Sequence, residues 1–366
     1  MDIKSSWDPN RTDYVALQND WHVVASSRSV AEGAIVPVRL LGEDLIIWRN
    51  DGKVHAWKDY CRHRGARLSL GWVKGGRVIC PYHGWEYGSD GACRRYPAHP
   101  NLKPSARATA FTHAAVERYD YIWVCMGTPN LEVPLFPVWD DPGFRKVQAG
   151  PYYYKANGLR AIENFLDAAH FPFVHANLNG DPDAPDEIGD YEVNLTDQGL
   201  STSEISVFQP YGDHRGIPVM ARYRYQCFRP TTAYFNKRTG ETERFCTLMM
   251  VTPCDLESCI VHLTVAINFG WDLSIEQILA RQDKVFEQDR VIVESQRPKP
   301  LPLHPGAELH LRSDRLGVEF RRWIRTLGSY SKEPQGYGIA TSGANEVAQN
   351  CGLAEAAGRR DSNFSD

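Results

Sequence analysis

From Trp21 onward the chain runs in short stretches of β-branched and aromatic residues: Trp21 to Ala25, Val36 to Leu41, Leu45 to Trp48 and Val54 to Trp57. Such stretches, broken by turn residues, predict short strands, and Asn50-Asp51-Gly52 between the last two is a hairpin signal. Arg77 to Cys80 and Glu117 to Cys125 (ERYDYIWVC) continue the pattern, the latter as one strand rich in side chains that suit a pleated surface. A small all-β domain is expected over residues 19–150, after a polar extension, 1–18, that carries little periodicity. Its boundary falls between Gly127 and Pro151, where Pro129, Pro134, Pro137 and Pro142 accumulate.

Beyond that boundary the period changes. Asn157 to His170 (NGLRAIENFLDAAH) puts Ile162, Phe165, Leu166 and Ala169 on one helical face. A Pro- and Asp-rich loop follows from Asn177 to Asp190, read as a solvated segment or a lid. Strands dominate from Tyr191 to Phe269: Val219, Ala221, Tyr223, Tyr225 and Cys227 alternate with Met220, Arg222, Arg224 and Gln226, and Val261, Leu263, Val265, Ile267 and Phe269 with His262, Thr264, Ala266 and Asn268. Period two predicts antiparallel strands with one buried face. One helix is expected from about Ser274 to Gln296, and another from Asp314 to Leu327 between a Ser313 cap and Gly328, with Arg321, Arg322 and Arg325 outside. The fold class is therefore α+β: an all-β domain, a second domain over 151–330, and a mobile tail over 331–366.

The chemistry concentrates in Asp59 to Tyr87. One residue separates Cys61 from His63, sixteen follow, and two separate Cys80 from His83. Two thiolates and two imidazoles on two turns are the ligand set of a Rieske [2Fe-2S] centre, in which two Cys hold one iron and two His the other. Arg64-Gly65 and Pro81 with Gly84 give two tight turns whose amides could point at bridging sulfides, and Trp85 and Tyr87 could shield the site. Cys2His2 is also a tetrahedral zinc set, although zinc fingers usually pair Cys with Cys and His with His. Zinc stays as the rival reading.

Composition narrows the partners. Forty-one basic and forty-five acidic residues leave a net charge of -4, which gives no reason to expect nucleic acid or an anionic membrane. No apolar run approaches a membrane span and Met1-Asp2-Ile3-Lys4 opens no signal peptide, so a cytoplasmic protein is expected. Nine cysteines, odd in number and scattered, read as reduced thiols, and only Cys61 and Cys80 stand beside histidines. No G-x-G-x-x-G fingerprint occurs, so any oxidation of NAD(P)H is expected on a separate reductase. Arg62, Arg64, Arg67, Lys74 and Arg77 form either a basic rim that steers an acidic ferredoxin or reductase, or a merely solvated set.

A second constellation follows in the other half. Asp167 and His170 lie one helical turn apart, and His175 is off their face unless Pro172 kinks the helix after His170. Two histidines need a carboxylate to complete the facial triad of a non-haem Fe(II) oxygenase, which leaves positions open for O2. The helix over 274–296 offers Asp289 on the stripe of Ile275, Ile278, Leu279, Val285, Phe286, Ile292 and Val293, where an unpaired carboxylate is costly. Asp283 falls off that stripe, and Glu287, Gln288, Arg290 and Glu294 point elsewhere. The rival is a buried Asp paired with Arg or capping a helix.

C-x-H-R-G through C-P-Y-H-G-W resembles the cluster motif of the Rieske non-haem iron oxygenases. D-x-x-H-x4-H and F-E-Q-D-R-V-I-V-E-S-Q resemble that family's catalytic motifs, and the similarity runs from Trp21 to about Leu327. The resemblance implies a helix-grip catalytic domain, a curved antiparallel sheet around a long helix, with His170, His175 and Asp289 as iron ligands. It also implies Asp167 as the carboxylate through which His83 of one subunit passes electrons to His170 of the next, in a homotrimer without a β-subunit.

W-x-D-Y-C-R-H-R-G and S-D-R-x-x-V-x-F-R-R-W-I-R-x-L are similar to the monooxygenase and demethylase branch, which includes dicamba O-demethylase, methylxanthine N-demethylases and saxitoxin-pathway hydroxylases. That branch implies hydroxylation or oxidative N- or O-demethylation of a small cyclic or aromatic molecule. Cis-dihydroxylation and a non-catalytic Rieske carrier with a ligand-binding domain remain alternatives.

Overall fold

The short apolar runs of the first half pair into two antiparallel sheets. The computed structural model describes residues 15–304 and 306–327; most of the N-terminal extension, the Gly328 helix stop, Cys351 and the tail over 331–366 lie outside the described residues. A one-turn helix, α1 (Val15–Gln18), precedes β1 (His22–Ser26), β2 (Ile35–Leu40), β3 (Glu43–Asn50) and β4 (Lys53–Lys58). Then come β5 (Trp72–Lys74), β6 (Arg77–Ile79), β7 (Glu86–Tyr87), β8 (Cys93–Arg95), β9 (Thr112–Arg118) and β10 (Tyr121–Cys125). Six form a sheet in the order β1-β10-β9-β4-β3-β2; β5 to β8 form a smaller one in chain order.

At the β3–β4 turn Asp51 and Gly52 take φ of 50° and 71°, the left-handed pair that a two-residue hairpin requires. The run Glu117 to Cys125 is not the single strand expected. Tyr119 and Asp120, with φ of 58° and 60°, fold it into the β9–β10 hairpin. Asp tolerates that conformation; the Tyr119 ring is held there by burial against Phe136 and Trp139, and its hydroxyl accepts the Phe136 amide. Packing overrode local preference. The end of the extension is likewise tied down: Leu17 is buried, and its carbonyl bonds His22 Nε2 at 2.7 Å.

The second half comprises β11 (Arg145–Tyr154), α2 (Gly158–Phe165), α3 (Phe171–Val174), β12 (Val193–Thr196), β13 (Gly199–Thr202), β14 (Ile205–Gln209), β15 (Val219–Arg229), β16 (Thr232–Arg238), β17 (Arg244–Pro253), β18 (Cys259–Ile267), α4 (Ile275–Ser295) and α5 (Arg315–Thr326). The eight strands form one antiparallel sheet, β11-β18-β17-β16-β15-β13-β12, with β14 paired to β15. The long helix α4 starts in a capping box made by Ser274 and Gln277. It is strapped to β11, where Tyr154 donates to the Phe286 carbonyl at 2.8 Å and Tyr152 stacks on the Phe286 ring.

Several expectations change here. In β15 the period of two holds, with Ala221, Tyr223, Tyr225 and Cys227 buried and Met220, Arg222 and Arg224 exposed. In β18 it does not mean one buried face, because His262, Thr264 and Ala266 are buried as well. The N-terminal sheet covers that second face. Trp21, Tyr121, Trp123 and Phe136 share a core with Tyr234, Leu248, Met250 and Ala266, and the Leu41 and Gly42 amides donate to the carbonyls of Pro253 and Cys254, both at 2.7 Å.

The helix expected over 157–170 ends at Phe165. On α4 the buried stripe is Ile278, Gln282, Phe286, Asp289 and Val293, whereas Ile275 and Ile292 are exposed. Asp314, not Ser313, is the residue that precedes α5. Arg321 is buried rather than outside, because Glu163 on α2 and Glu308 neutralise it. The eight described cysteines are all unpaired and buried, and no helix among the described residues is long and apolar enough to cross a membrane.

Candidate metal centres

Two loops of the smaller sheet repeat one backbone pattern. The Cys61 amide donates to the Ala66 carbonyl and the Gly65 amide to the Cys61 carbonyl; Cys80 repeats this with Trp85 and Gly84. Gly65 and Gly84 take φ of 72° and 69°, which lets each loop turn back on its cysteine. Asp59 pins the first loop by accepting from the Ser69 amide and hydroxyl and from Arg67. The loops bring Cys61, His63, Cys80 and His83 together: the His63 and His83 rings lie 4.5 Å apart, and the two buried thiols are close enough to shift each other's ionisation. Their interaction lowers the pKa of Cys61 and raises that of Cys80.

Trp85 stacks on His63 at 4.5 Å and the Tyr87 hydroxyl sits 3.2 Å from Cys61 Sγ, as shields would. The two thiols are buried, His83 is exposed, and His63 Nδ1 is a buried nitrogen with no partner. A metal group between the loops would satisfy that nitrogen. The basic rim is largely spoken for. Arg67 pairs with Asp59, Arg77 with Glu86, and Arg62 lies over the Phe111 ring. Arg64 and Lys74 are exposed.

The second site starts from α2. Asn157 caps it by accepting the Leu159 amide, and Gly158 sits where a Cβ would come within 2.9 Å of Val251 on β17, so the helix begins pressed onto the sheet. After Phe165 the chain leaves the helix. Asp167 organises the turn that follows: its carboxylate accepts the amides of Ala169 and His170, both at 3.1 Å, and His170 Nδ1 at 2.8 Å. Pro172 does not kink a continuous helix. It sits in the first turn of α3, where its missing N–H costs nothing, and His170 is the residue before that turn. The break between two helices is what turns His175 toward His170.

His170, His175 and Asp289 place their ligand atoms within 4.8 Å of one another. Both imidazoles use Nδ1 elsewhere, His170 on Asp167 and His175 on the Gln288 side-chain oxygen at 3.0 Å. With Nδ1 donating, each Nε2 presents a lone pair, and these face Asp289 Oδ1 at 3.5 and 3.1 Å. That oxygen is buried and lacks a hydrogen-bond partner. A carboxylate facing two lone pairs in a buried site is the donor set that a cation satisfies. Burial alone would raise Asp167 and lower His170; their mutual hydrogen bond and charge reverse both, holding Asp167 below and His170 above the ordinary value.

Gln288 was expected to point elsewhere. Next to Asp289 on α4, it reaches the far side of the His175 ring, a position that a stripe of apolar residues does not mark. Asp283 is exposed and accepts the Tyr152 hydroxyl. The cleft running from the triad is lined by Phe165, Tyr223, Tyr225, Phe235, Lys237, Phe245, Thr247, Arg281 and Phe286 among others. Of the acidic 177–190 segment only Asn179 lines it. The polar strand residues His262, Asn268 and Gln226 do not. Lys237 was missed although it alternates with Ala233 and Phe235, an inward register in β16. A groove of about 500 Å³ between the two sheets contains none of these ligand residues.

Comparison with known proteins finds relatives of both halves of the chain. The Rieske [2Fe-2S] domain matches residues 20–109, and the vanillate O-demethylase oxygenase C-terminal domain matches residues 154–329. Methylxanthine N3-demethylase NdmB of Pseudomonas putida is 30% identical over 340 residues, which are 89% of this chain and 93% of that protein. Methylxanthine N1-demethylase NdmA of the same organism is 29% identical over 87% of this chain and 91% of its own. The solved structure of NdmA with caffeine superposes with a TM-score of 0.77 at 28% identity, covering 87% of this chain and 93% of that one. The chain belongs to the Rieske non-haem iron oxygenases, as the oxygenase component of a monooxygenase whose cofactors are a [2Fe-2S] cluster and a mononuclear iron and whose electrons come from NAD(P)H through a reductase.

Proposed function

We propose that Cys61, His63, Cys80 and His83 hold the cluster and that His170, His175 and Asp289 hold the iron, with residues 19–150 serving the first and 151–330 the second. The reaction we assign is oxidative removal of an N- or O-methyl group from a small ring compound. The relatives' names support it: two are methylxanthine N-demethylases, and the family matched by the second half is named for an O-demethylase. Both are one reaction, in which a methyl carbon beside a heteroatom is hydroxylated and the hemiaminal or hemiacetal loses formaldehyde. When bound, the metal groups supply single electrons and the activation of O2 beside a C–H bond.

The chain's residues supply the rest. Asp167 fixes the His170 ring and keeps a proton at Nδ1; Gln288 does the same for His175. Phe165, Phe171, Tyr223 and Phe235 wall the cleft and exclude water from the reacting carbon. The observation that carries this reading is the pair of imidazoles, each oriented by its own acceptor, facing one unpartnered buried carboxylate oxygen.

The separation of the two sets of ligand residues within one chain supports a homotrimer. No cluster-loop residue lines the cleft or the hollow beside Asp167 in the same chain. Leu70, Trp72 and Tyr82 are exposed around the cluster loops, and Leu309 and Leu311 are exposed by that hollow. A heterologous contact between these surfaces closes into a ring and sets Asp167 between His170 and the His83 of a second copy. The protein works in the cytoplasm with its reductase, directly or through a ferredoxin. The test is anaerobic reconstitution with a reductase, admission of O2, and a screen of methylated heterocycles and aryl methyl ethers. Formaldehyde equal to the O2 consumed is expected; a diol product, or no substrate-dependent O2 uptake, would refute it.

A further inference from the structure

The far end of the cleft holds positive charge that demethylation does not require. Across the sheet, Tyr223 on β15, Lys237 on β16 and Phe245 on β17 stand in one row, and Tyr225, Phe235 and Thr247 in the next. All six line the cleft. Lys237 is 3% exposed, 4.6 Å from the Phe245 ring centre and 5.6 Å from that of Tyr223. Its ammonium donates to the Gln209 side-chain oxygen and the Gly212 carbonyl, both neutral. Opposite, α4 contributes Arg281, whose guanidinium donates to the neutral Asn179 side chain at 2.8 Å.

Among the described residues neither cation makes an ion pair. The nearby buried carboxylate of Asp213 is already taken by a multidentate bond to Arg215. His214, stacked near Phe245, adds no charge, since burial pushes its pKa down to about 4. Two cations brought together out of water without a counterion are costly. Burial, and for Lys237 the neighbouring Arg281, push both below their ordinary values. An anion between them would remove that cost. The same cleft also holds the Tyr225 hydroxyl and Thr247 Oγ1, buried and without partners.

Arg281 lies eight residues before Asp289 on α4, about 12 Å along the axis. That spans one ring with a substituent at each end. We propose that Lys237 and Arg281 form an anion clamp and that the substrate is an aromatic carboxylate, its carboxylate held between them and its methyl group at the Asp289 end. This rests on the demethylase reading for the methyl group but not for the anion. Tyr223, Phe235 and Phe245 enclose the ring. The clamp separates this chain from a site built for a neutral heterocycle.

The test reads binding to the anaerobic holoprotein by calorimetry, with 3- and 4-methoxybenzoate against the matching methoxybenzamides. Hydrogen bonds to a charged group predict that at least one benzoate binds about tenfold or more tighter than its amide. Arg281→Gln and Lys237→Met should each shrink the preference for benzoate over amide to within about twofold, and Arg281→Lys should keep most of it. Arg281 is half-buried, so its two variants serve if Lys237→Met fails to fold. Amides that bind as well as benzoates, Arg281 variants that keep full benzoate affinity, or benzoates that do not bind at all would each overturn the clamp. Benzoate binding without formaldehyde after O2 is admitted would support the clamp and defeat the demethylase reading. Formaldehyde from neutral methylated purines without benzoate binding would do the reverse.

Discussion

The two candidate metal centres are built in opposite ways. The cluster loops lie within residues 59–87 and carry their own support: two matched glycine turns, the Asp59 anchor, and the Trp85 and Tyr87 shields. The triad draws His170 and His175 from the broken helix after α2 and Asp289 from α4, more than a hundred residues later. A local site depends on its own loops; an assembled one depends on whatever holds the helix to the sheet. Disturbance far from the chemistry should therefore reach the iron before it reaches the cluster.

The largest effects should separate the centres cleanly. Asp289→Ala should lose bound iron and reduce formaldehyde release to background, on the order of a thousandfold, while the visible and EPR signals of the cluster stay intact. Cys80→Ser should do the converse, abolishing those signals with mononuclear iron retained. If Asp289→Ala also bleached the cluster, the independence argued from the two architectures would be wrong.

The same contrast explains what the sequence made readable. Cys61, His63, Cys80 and His83 are legible because spacing alone defines a site carried on two adjacent turns. His170, His175 and Asp289 could be nominated only by setting a histidine pair against one carboxylate on an apolar stripe, and Ile275 and Ile292 of that stripe prove exposed. Period two identified β15 and β18 as strands but could not say that β18 is buried on both faces, since the covering sheet comes from the other half. Gln288, Lys237 and Arg281 carried no motif, and their roles depend on which strand or helix they face. Tyr119 was hidden inside an apparent strand, because burial of its ring, not local preference, fixes the turn.

Smaller effects test the residues that orient the triad. Asp167→Asn should keep cluster and iron yet slow electron transfer between them by about 100-fold, read as cluster reoxidation in single turnover. Unaltered reoxidation would remove Asp167 from the link. Gln288→Leu takes away only the acceptor for His175 Nδ1, so iron affinity should fall about tenfold with the cluster potential unchanged. An affinity equal to wild type would show that the His175 ring is set by packing alone.

The smallest effect asks whether acid loosens the assembled side first. Glu308 bonds Arg160 on α2 and Arg321 on α5, and so ties α5 to the helix that leads into Asp167. Burial would raise its pKa, but the two guanidinium partners outweigh that and hold it below the ordinary 4.5. A depressed folded pKa means that the bond stabilises above the unfolded carboxyl value and that this contribution is lost as pH falls through the lowered one. Because Glu308 is about a third exposed, its contribution should be near 1 kcal/mol rather than that of a fully buried pair. Glu308→Gln should then lower the urea midpoint at pH 7 and flatten its decline below pH 4.5, with iron lost at lower urea than the cluster spectrum. Parallel loss of both signals at every pH would mean that the network braces the whole molecule and not the iron side.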